Sequence, residues 1–129
     1  MKKIIFSICV FICISCNSNK SNKDKVNNQI LGEWAITMIY GGYCNICAKV
    51  IFKKEGKAVV VQPSGQLIQF SYKFLSNKKI NFNFGENKNY FNGQDFLYDI
   101  EVKDNTTKLT LESIKNGGKY TLNRGNVVN

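Results

Sequence analysis

The sequence predicts an all-β domain, an antiparallel up-and-down meander of eight short strands closing into a barrel. Three observations favour it. From Ile30 onward apolar and polar residues alternate with a period of two, as on strands with one buried face. Segments rich in Gly, Asn, Asp or Ser separate the alternating runs at hairpin-length intervals. No stretch beyond residue 16 has a helical period. Closure removes the exposed edge strands, which makes a barrel the first choice and an open sandwich the second.

The first four predicted strands each end at a recognisable turn. Gly-Gly at 41–42 opens the loop after the first strand, the segment 54–57 follows the second, and Pro-Ser-Gly at 63–65 stops the third. The alternating apolar residues that mark these strands are Trp34, Ile36, Met38 and Tyr40; Val50 and Phe52; Val59 and Val61; and Ile68, Phe70, Tyr72 and Phe74.

The last four predicted strands follow the same pattern. Ser-Asn at 76–77, a polar loop at 85–93 that contains Tyr90 and Phe91, Asp-Asn at 104–105 and Asn-Gly-Gly at 116–118 separate them. Their marking residues are Ile80, Phe82 and Phe84; Phe96, Tyr98, Ile100 and Val102; Leu109 and Leu111; and Tyr120 and Leu122. We therefore assign the barrel domain to residues 30–125.

The first fifteen residues are typical of a secretory signal peptide. Lys2 and Lys3 precede an apolar run at 4–14, and the small residue Ser15 stands directly before Cys16. The run is shorter than the roughly 17–25 residues that a helix needs to span a bilayer. A cysteine at that position resembles the lipobox of bacterial lipoproteins, which implies cleavage at 1–15 and acylation of Cys16. The alternative is cleavage elsewhere, with Cys16 left as a free thiol.

Acylation of the usual kind would give Cys16 several acyl chains, palmitate among them. Since stable attachment needs more than one chain, this implies an anchor in the bacterial cell envelope. No acidic run follows Cys16, which favours the outer membrane with the domain facing the periplasm. Residues 16–29 are polar except for Val26 and are predicted to form a lipidated flexible tether. Its mean reach would be roughly 20 Å.

The chain is basic, with 18 Lys and Arg against 9 Asp and Glu and a formal charge of +9. The lysines are scattered and Arg124 is the only arginine, so most of this charge is expected on a solvated surface. Attraction to anionic lipid or polysaccharide is the alternative. An exported protein does not meet chromosomal DNA, and no nucleic-acid partner is expected.

Residues at both ends of the predicted barrel match a known family pattern. Gly32 and Trp34 match the Gly-x-Trp pattern of the first lipocalin strand, and the segment 120–124 is similar to the closing strand of small bacterial lipocalin-like lipoproteins. The resemblance implies that Arg124 packs over Trp34 at the closed end, as a cation–π pair worth about 0.5–2 kcal/mol. The alternative is a Trp34 that only anchors a core.

Cys44 and Cys47 form the sharpest local motif, and three interpretations compete. A structural disulfide is favoured. Cys9 and Cys13 leave with the signal peptide and Cys16 is acylated, so the exported chain keeps these two cysteines as one pair. A thioredoxin-like dithiol needs a helix after its first cysteine, whereas a strand is predicted here. A zinc site needs four ligands, and the chain has no His. We expect no metal and no cofactor.

An enzyme is not expected. Without His there is no His-based general base or triad. Asp99 and Glu101 fall on the polar face of the sixth strand, and Glu33 lies on the outward face beside Trp34. No pair of carboxylates is therefore expected to converge in a cleft.

The inner aromatic positions are the remaining candidates for function. Small barrels either fill with side chains or hold one small ligand, and large residues on short strands favour filling. The residues predicted to point inward and to line any site for a small hydrophobic ligand are Phe70, Tyr72, Phe74, Phe82, Phe84, Phe96 and Tyr98. The sequence thus predicts a monomeric envelope lipoprotein with a lipocalin-like barrel, and binding of such a ligand inside it is a hypothesis. The alternative is a module that contacts an envelope protein or polysaccharide with its outer surface and loops.

Overall fold

The structure, a computed structural model, describes residues 27–125. The predicted signal peptide at 1–15, Cys16 and most of the predicted tether at 16–29 lie outside the described residues. Within them no helix is long and apolar enough to cross a membrane. A helical turn at 27–30 overlaps the end of the predicted tether, and its last residue, Ile30, is fully buried.

Nearly all of the described chain is strand or turn, as the alternating pattern predicts. A 3₁₀ turn at Lys54–Gly56 is the other short helical segment of this region. The strands of residues 27–125 are β1 (Gly32–Ile39), β2 (Gly42–Tyr43), β3 (Lys49–Phe52), β4 (Lys57–Val61), β5 (Leu67–Phe74), β6 (Lys79–Asn83), β7 (Asp95–Lys103), β8 (Thr106–Ser113) and β9 (Lys119–Gly125).

The sheet closes into an eight-stranded antiparallel barrel, which confirms the predicted fold class. Each of β3 to β8 pairs with the next strand in sequence, and β1 pairs with both β3 and β9. The two-residue β2 is an additional strand on the end of β1. Closure leaves β1 and β9 without a free edge along their paired length.

The barrel has two ends that differ in their connections. The N-terminal end, as we name it, carries residues 27–31 and the β3–β4, β5–β6 and β7–β8 turns. The loop end carries the β1–β3 connection, the β4–β5 turn, the long β6–β7 loop and the β8–β9 turn. Because the strands alternate in direction, all connections of one group lie at the same end.

A bulge in β1 changes which of its residues face inward. Ile36 pairs with Leu122, but Met38 pairs with Thr121 and Ile39 with Tyr120. The additional residue reverses the alternation, so Ile39 packs against the core and Met38 does not. The predicted continuous inner face through Met38 and Tyr40 is therefore wrong beyond Ile36.

Two other strands differ locally from the predicted pattern. On β4 the interior residues are Ala58 and Val60, whereas Val59 lies in register with the outward Gln69. On β7 the exposed fraction of Val102 is 62%. It lies beyond the last pairing of β7 with β6, at Leu97, where no neighbouring strand covers that side.

Candidate functional site

The N-terminal end is closed by contacts between the first and last barrel strands. The guanidinium carbon of Arg124 lies 4.4 Å from the ring centroid of Trp34, which is fully buried. Trp34 Nε1 donates a hydrogen bond of 2.8 Å to the Ile30 carbonyl. Arg124 donates from Nη1 to the Leu31 carbonyl at 2.6 Å and from Nη2 to the Gln29 carbonyl at 2.9 Å. One arginine therefore joins β9, β1 and the helical turn.

Gly32 belongs to the same cluster for a steric reason. Its φ is +117°, a conformation that side chains disfavour, and a Cβ there would lie 3.3 Å from Arg124 Nη1. The structure thus brings together the three residues predicted to close the barrel, Gly32, Trp34 and Arg124. Burial lowers the pKa of the Arg124 guanidinium, which remains charged.

The Cys44–Cys47 disulfide is present, as predicted, with 5.7 Å between the two Cα atoms. It lies in the β1–β3 connection, where the Cys44 amide donates to the Thr37 carbonyl at 2.9 Å. Strand β3, not a helix, follows it. The side chains of Tyr43 and Ile46 beside the bridge are 87% and 80% exposed. The bridge therefore fixes a loop that presents two apolar side chains to solvent.

The long β6–β7 loop closes the loop end from inside. Phe91 is fully buried, with its ring centroid 5.0 Å from that of Tyr120 and 5.3 Å from that of Phe82. Asn89 stabilises the loop on both sides of Phe91, since its Oδ1 accepts a hydrogen bond from the Phe91 amide and its Nδ2 donates one to the Gly93 carbonyl. The sequence placed Phe91 in a polar loop, and only its aromatic character within that loop signalled an inward role.

The predicted ligand-lining residues pack against one another. Ring centroids are 4.6 Å apart for Phe70 and Phe84, 5.0 Å for Phe82 and Phe96, and 5.2 Å for Phe74 and Tyr98. All seven residues face the interior. Six of them are buried and Phe74 is half-buried: the set is Phe70, Tyr72, Phe74, Phe82, Phe84, Phe96 and Tyr98. Their side chains occupy the centre of the barrel. That they line a ligand site stays a prediction.

Two of these residues carry hydroxyls with raised pKa values. Burial raises the pKa of Tyr72 and that of Tyr98. The Tyr72 hydroxyl donates a hydrogen bond of 2.7 Å to the Lys53 carbonyl, so this carbonyl of the β3–β4 turn has a partner. Both groups stay protonated at neutral pH.

A pair of tyrosines at the loop end was not predicted from the sequence. The Tyr120 hydroxyl donates to the Tyr40 hydroxyl at 3.3 Å. Burial raises the pKa of Tyr120 well above its usual range, and Tyr40 adds to the rise. Hydrogen bonds, foremost the one from Tyr120, lower the pKa of Tyr40. A Cβ at Gly118 would collide with the Tyr40 ring, so any other residue there would displace that ring.

The described residues line several solvent-open clefts. One of about 580 Å³ runs along β4, β5 and β6, where it is lined by Lys57, Gln69 and Asn83 among others. Another, of about 340 Å³, lies at the N-terminal end between residues 27–31, the β3–β4 turn and the end of β5. Phe70 and Phe84 contribute to the first cleft and Tyr72 and Phe74 to the second, whereas Phe82, Phe91 and Phe96 line neither.

Three carboxylates of the described region form surface ion pairs, and Asp95 Oδ1 accepts a hydrogen bond of 2.8 Å from Asn81 Nδ2. Glu33 Oε1 lies 2.8 Å from Lys49 Nζ, which raises the pKa of Lys49, and Glu101 lies 3.0 Å from Lys108 Nζ. Between residues 27 and 125 no three His, Cys, Asp or Glu side chains are grouped to hold a metal ion. Among the described residues, the best candidates for a functional site are therefore the two closed barrel ends and the bridged loop.

No family model matches the sequence, and no curated protein is found to match it. The likeness to lipocalins therefore depends on Gly32, Trp34, Arg124 and the barrel itself.

Proposed function

We propose that this chain is a lipid-anchored protein of the bacterial cell envelope whose barrel is a non-enzymatic interaction module. One observation carries the choice of a module over a carrier: interlocking aromatic rings occupy the barrel centre, and Phe91 closes one end. A carrier for a small hydrophobic ligand would have to displace these rings. A rigid, filled barrel is suited instead to presenting loops to a partner.

The anchor is proposed from the order of the first sixteen residues. A signal peptide at 1–15 would leave Cys16 as the N-terminus, with palmitate among its acyl chains. The domain would then hang from the outer membrane and face the periplasm. The chain enters the barrel at residue 27, so ten residues, 17–26, would separate the lipid from the folded domain.

The contact surface is proposed at the bridged loop. Tyr43 and Ile46 are the two most exposed large apolar residues of the described chain, and they flank one disulfide. A preorganised loop loses less conformational entropy on binding than a mobile one. An envelope protein or polysaccharide is the proposed partner, because both offer surfaces that an exposed tyrosine can contact.

Kinship with the lipocalins is part of the proposal. It is supported by the Gly-x-Trp residues, by the position of Arg124 over Trp34 and by the eight-stranded closure. A lipocalin-like carrier of a small hydrophobic ligand is the competing function. The seven inner aromatic residues would then line its site after a rearrangement.

Mass spectrometry under native conditions separates module from carrier. The protein is extracted from membranes with mild detergent and compared with its Phe82→Ala variant, which opens space between the inner rings and serves as a positive control. We expect no bound small molecule on the natural protein and uptake of an apolar dye only by the variant. A stoichiometric ligand on the natural protein would establish the carrier instead.

The bridged loop is tested by crosslinking. A photoreactive residue replaces Tyr43 in one variant and Leu97, on the barrel wall, in a matched control. We expect a discrete adduct in intact cells from position 43 alone, and its loss when Ile46→Ser is added. Equal crosslinking from both positions would remove the bridged loop as the contact surface.

A further inference from the structure

The lysines of the described chain are not evenly distributed over the barrel. Seven lie in or next to the three turns of the N-terminal end, and all but the half-buried Lys79 are exposed: Lys53, Lys54, Lys57, Lys73, Lys78, Lys79 and Lys103. We call them the basic end. None is ion-paired with another described residue, since the ion pairs among the described residues use Lys49, Lys108 and Lys119.

Few acidic residues oppose this charge. Glu55 and Asp104 lie in the same turns, and Glu101 is already paired with Lys108. Asp99, further along β7, is exposed. At the loop end the unpaired lysines are Lys88 and Lys115, and the acidic residues Glu86 and Asp95 lie at the same end. The positive potential is therefore concentrated at one end of the barrel.

The polypeptide enters the barrel at that same end. Asn27, Asn28 and Leu31 line a cleft together with Lys54 and Lys73. Twenty-six residues precede Asn27 in the sequence. From Cys16, even a fully extended segment could span no more than about 40 Å. A lipid on Cys16 would therefore be joined to the barrel at its basic end, which favours that end over the loop end as the side nearer the bilayer.

Two apolar side chains project among these lysines. Leu75, in the β5–β6 turn, is 46% exposed, and Val102, in the β7–β8 hairpin, is 62% exposed. Lysines surrounding isolated apolar side chains are typical of surfaces that lie on a headgroup layer, because the charges attract anionic lipid while the apolar groups enter the interface.

From this arrangement we infer that the basic end is a membrane-facing surface that binds anionic phospholipid headgroups and points the bridged loop away from the bilayer. The orientation rests on the anchor proposed above, whereas the attraction to anionic lipid follows from the lysines alone. The barrel would then have a fixed pose and would not hang freely from its tether.

Energy transfer from Trp34 measures this pose directly. Trp34 is the single tryptophan and lies at the N-terminal end, beneath Arg124. The full chain is reconstituted into vesicles that carry a dansyl-labelled lipid, made of phosphatidylcholine alone or with phosphatidylglycerol. We expect strong transfer only on the anionic vesicles, and its loss as salt is added.

Matched charge variants identify the surface responsible. Lys54→Gln with Lys78→Gln removes two charges from the basic end, and Lys88→Gln with Lys115→Gln removes two from the loop end. Each lysine near an anionic surface contributes about fivefold to the binding equilibrium, so the first pair should lower the docked-to-undocked ratio roughly 25-fold. The second pair should leave it within about twofold, because distant charges are screened.

Flotation separates this inference from the anchor. A chain that floats with both kinds of vesicle, but whose transfer is equal on both or equally reduced by both variants, keeps its anchor and overturns the inference. A chain that floats only with anionic vesicles, in a Lys54- and Lys78-dependent way, has no lipid anchor but supports the inference. Lysine-dependent binding to soluble alginate without any effect on vesicle transfer would overturn it in favour of an acidic polysaccharide.

Discussion

Arg124 lies over the fully buried Trp34, with its guanidinium carbon 4.4 Å from the ring centroid, and so joins the last strand of the barrel to the first. The same guanidinium donates to the carbonyls of Leu31 and Gln29. Three contacts of one guanidinium thus converge on the point where the sheet closes.

Replacing Arg124 should weaken closure of the barrel. Arg124→Met loses the cation–π contact and two charged hydrogen bonds, and we expect a loss of about 2–4 kcal/mol in the free energy of unfolding. Arg124→Lys keeps the charge but not the planar fork, so it should recover only part of this. Urea denaturation measures both. An Arg124→Met variant as stable as Lys115→Met, an exposed control, would mean that closure does not depend on this residue.

Removing the Phe91 ring should open the loop end. Phe91→Ala deletes a fully buried ring among Phe82, Phe96 and Tyr120, which should cost about 3–5 kcal/mol. Ile46→Ala, at an exposed position, should change stability by less than about 0.5 kcal/mol. Thermal or urea unfolding compares the two, with apolar dye fluorescence as a second readout. A small loss together with unchanged dye binding would show that Phe91 does not close the interior.

The disulfide should contribute modestly to stability and more to the loop. Its ring contains few residues, so replacing both cysteines with Ser should cost roughly 2 kcal/mol by the chain-entropy estimate. Backbone amides of the β1–β3 connection should exchange faster with deuterium, whereas those of the β8–β9 ladder should not. Exchange that accelerates equally in both places would contradict a purely local function for the bridge.

Stability should fall in alkaline solution. The pKa of Tyr120 is raised in the folded state, as are those of Tyr72, Tyr90 and Tyr98. The unfolded chain therefore loses protons first, as the pH rises past the usual tyrosine value of 10.0. Stability is fully present below that pH and is lost above it, by at most about 1.4 kcal/mol per pH unit for each group.

Tyr120→Phe isolates the contribution of one tyrosine. This variant removes the group with the largest rise, so its stability should decline less steeply than that of the natural protein above pH 10.0. Tyr43→Phe, at an exposed position, is the control. Identical slopes for Tyr120→Phe and the natural protein would show that Tyr120 ionises equally in the folded and unfolded states.

The regular parts of the barrel were predictable because strand alternation is local. Phe70, Tyr72, Phe82, Phe96 and Tyr98 all face inward as their positions predict. Arg124 and Trp34 were paired through a resemblance and not through periodicity, because a contact between the first and last strands leaves no trace in local pattern. The disulfide followed from the cysteine count.

The departures occur where tertiary contacts override alternation. The bulge between Ile36 and Met38 is set by pairing with β9, which no local signal encodes. On β4 every residue from Ala58 to Val60 is apolar, so the pattern does not distinguish its two faces. Phe91 enters the core from a polar loop, and burial there depends on the space left by Phe82 and Tyr120.

The intact mass of the protein extracted gently from membranes tests the central claim, a lipid-anchored barrel with a filled interior. We predict the mass of residues 16–129 plus the acyl groups on Cys16, with no other molecule bound under native conditions. An N-terminus elsewhere without lipid, or a stoichiometric small molecule held by the folded protein, would contradict it.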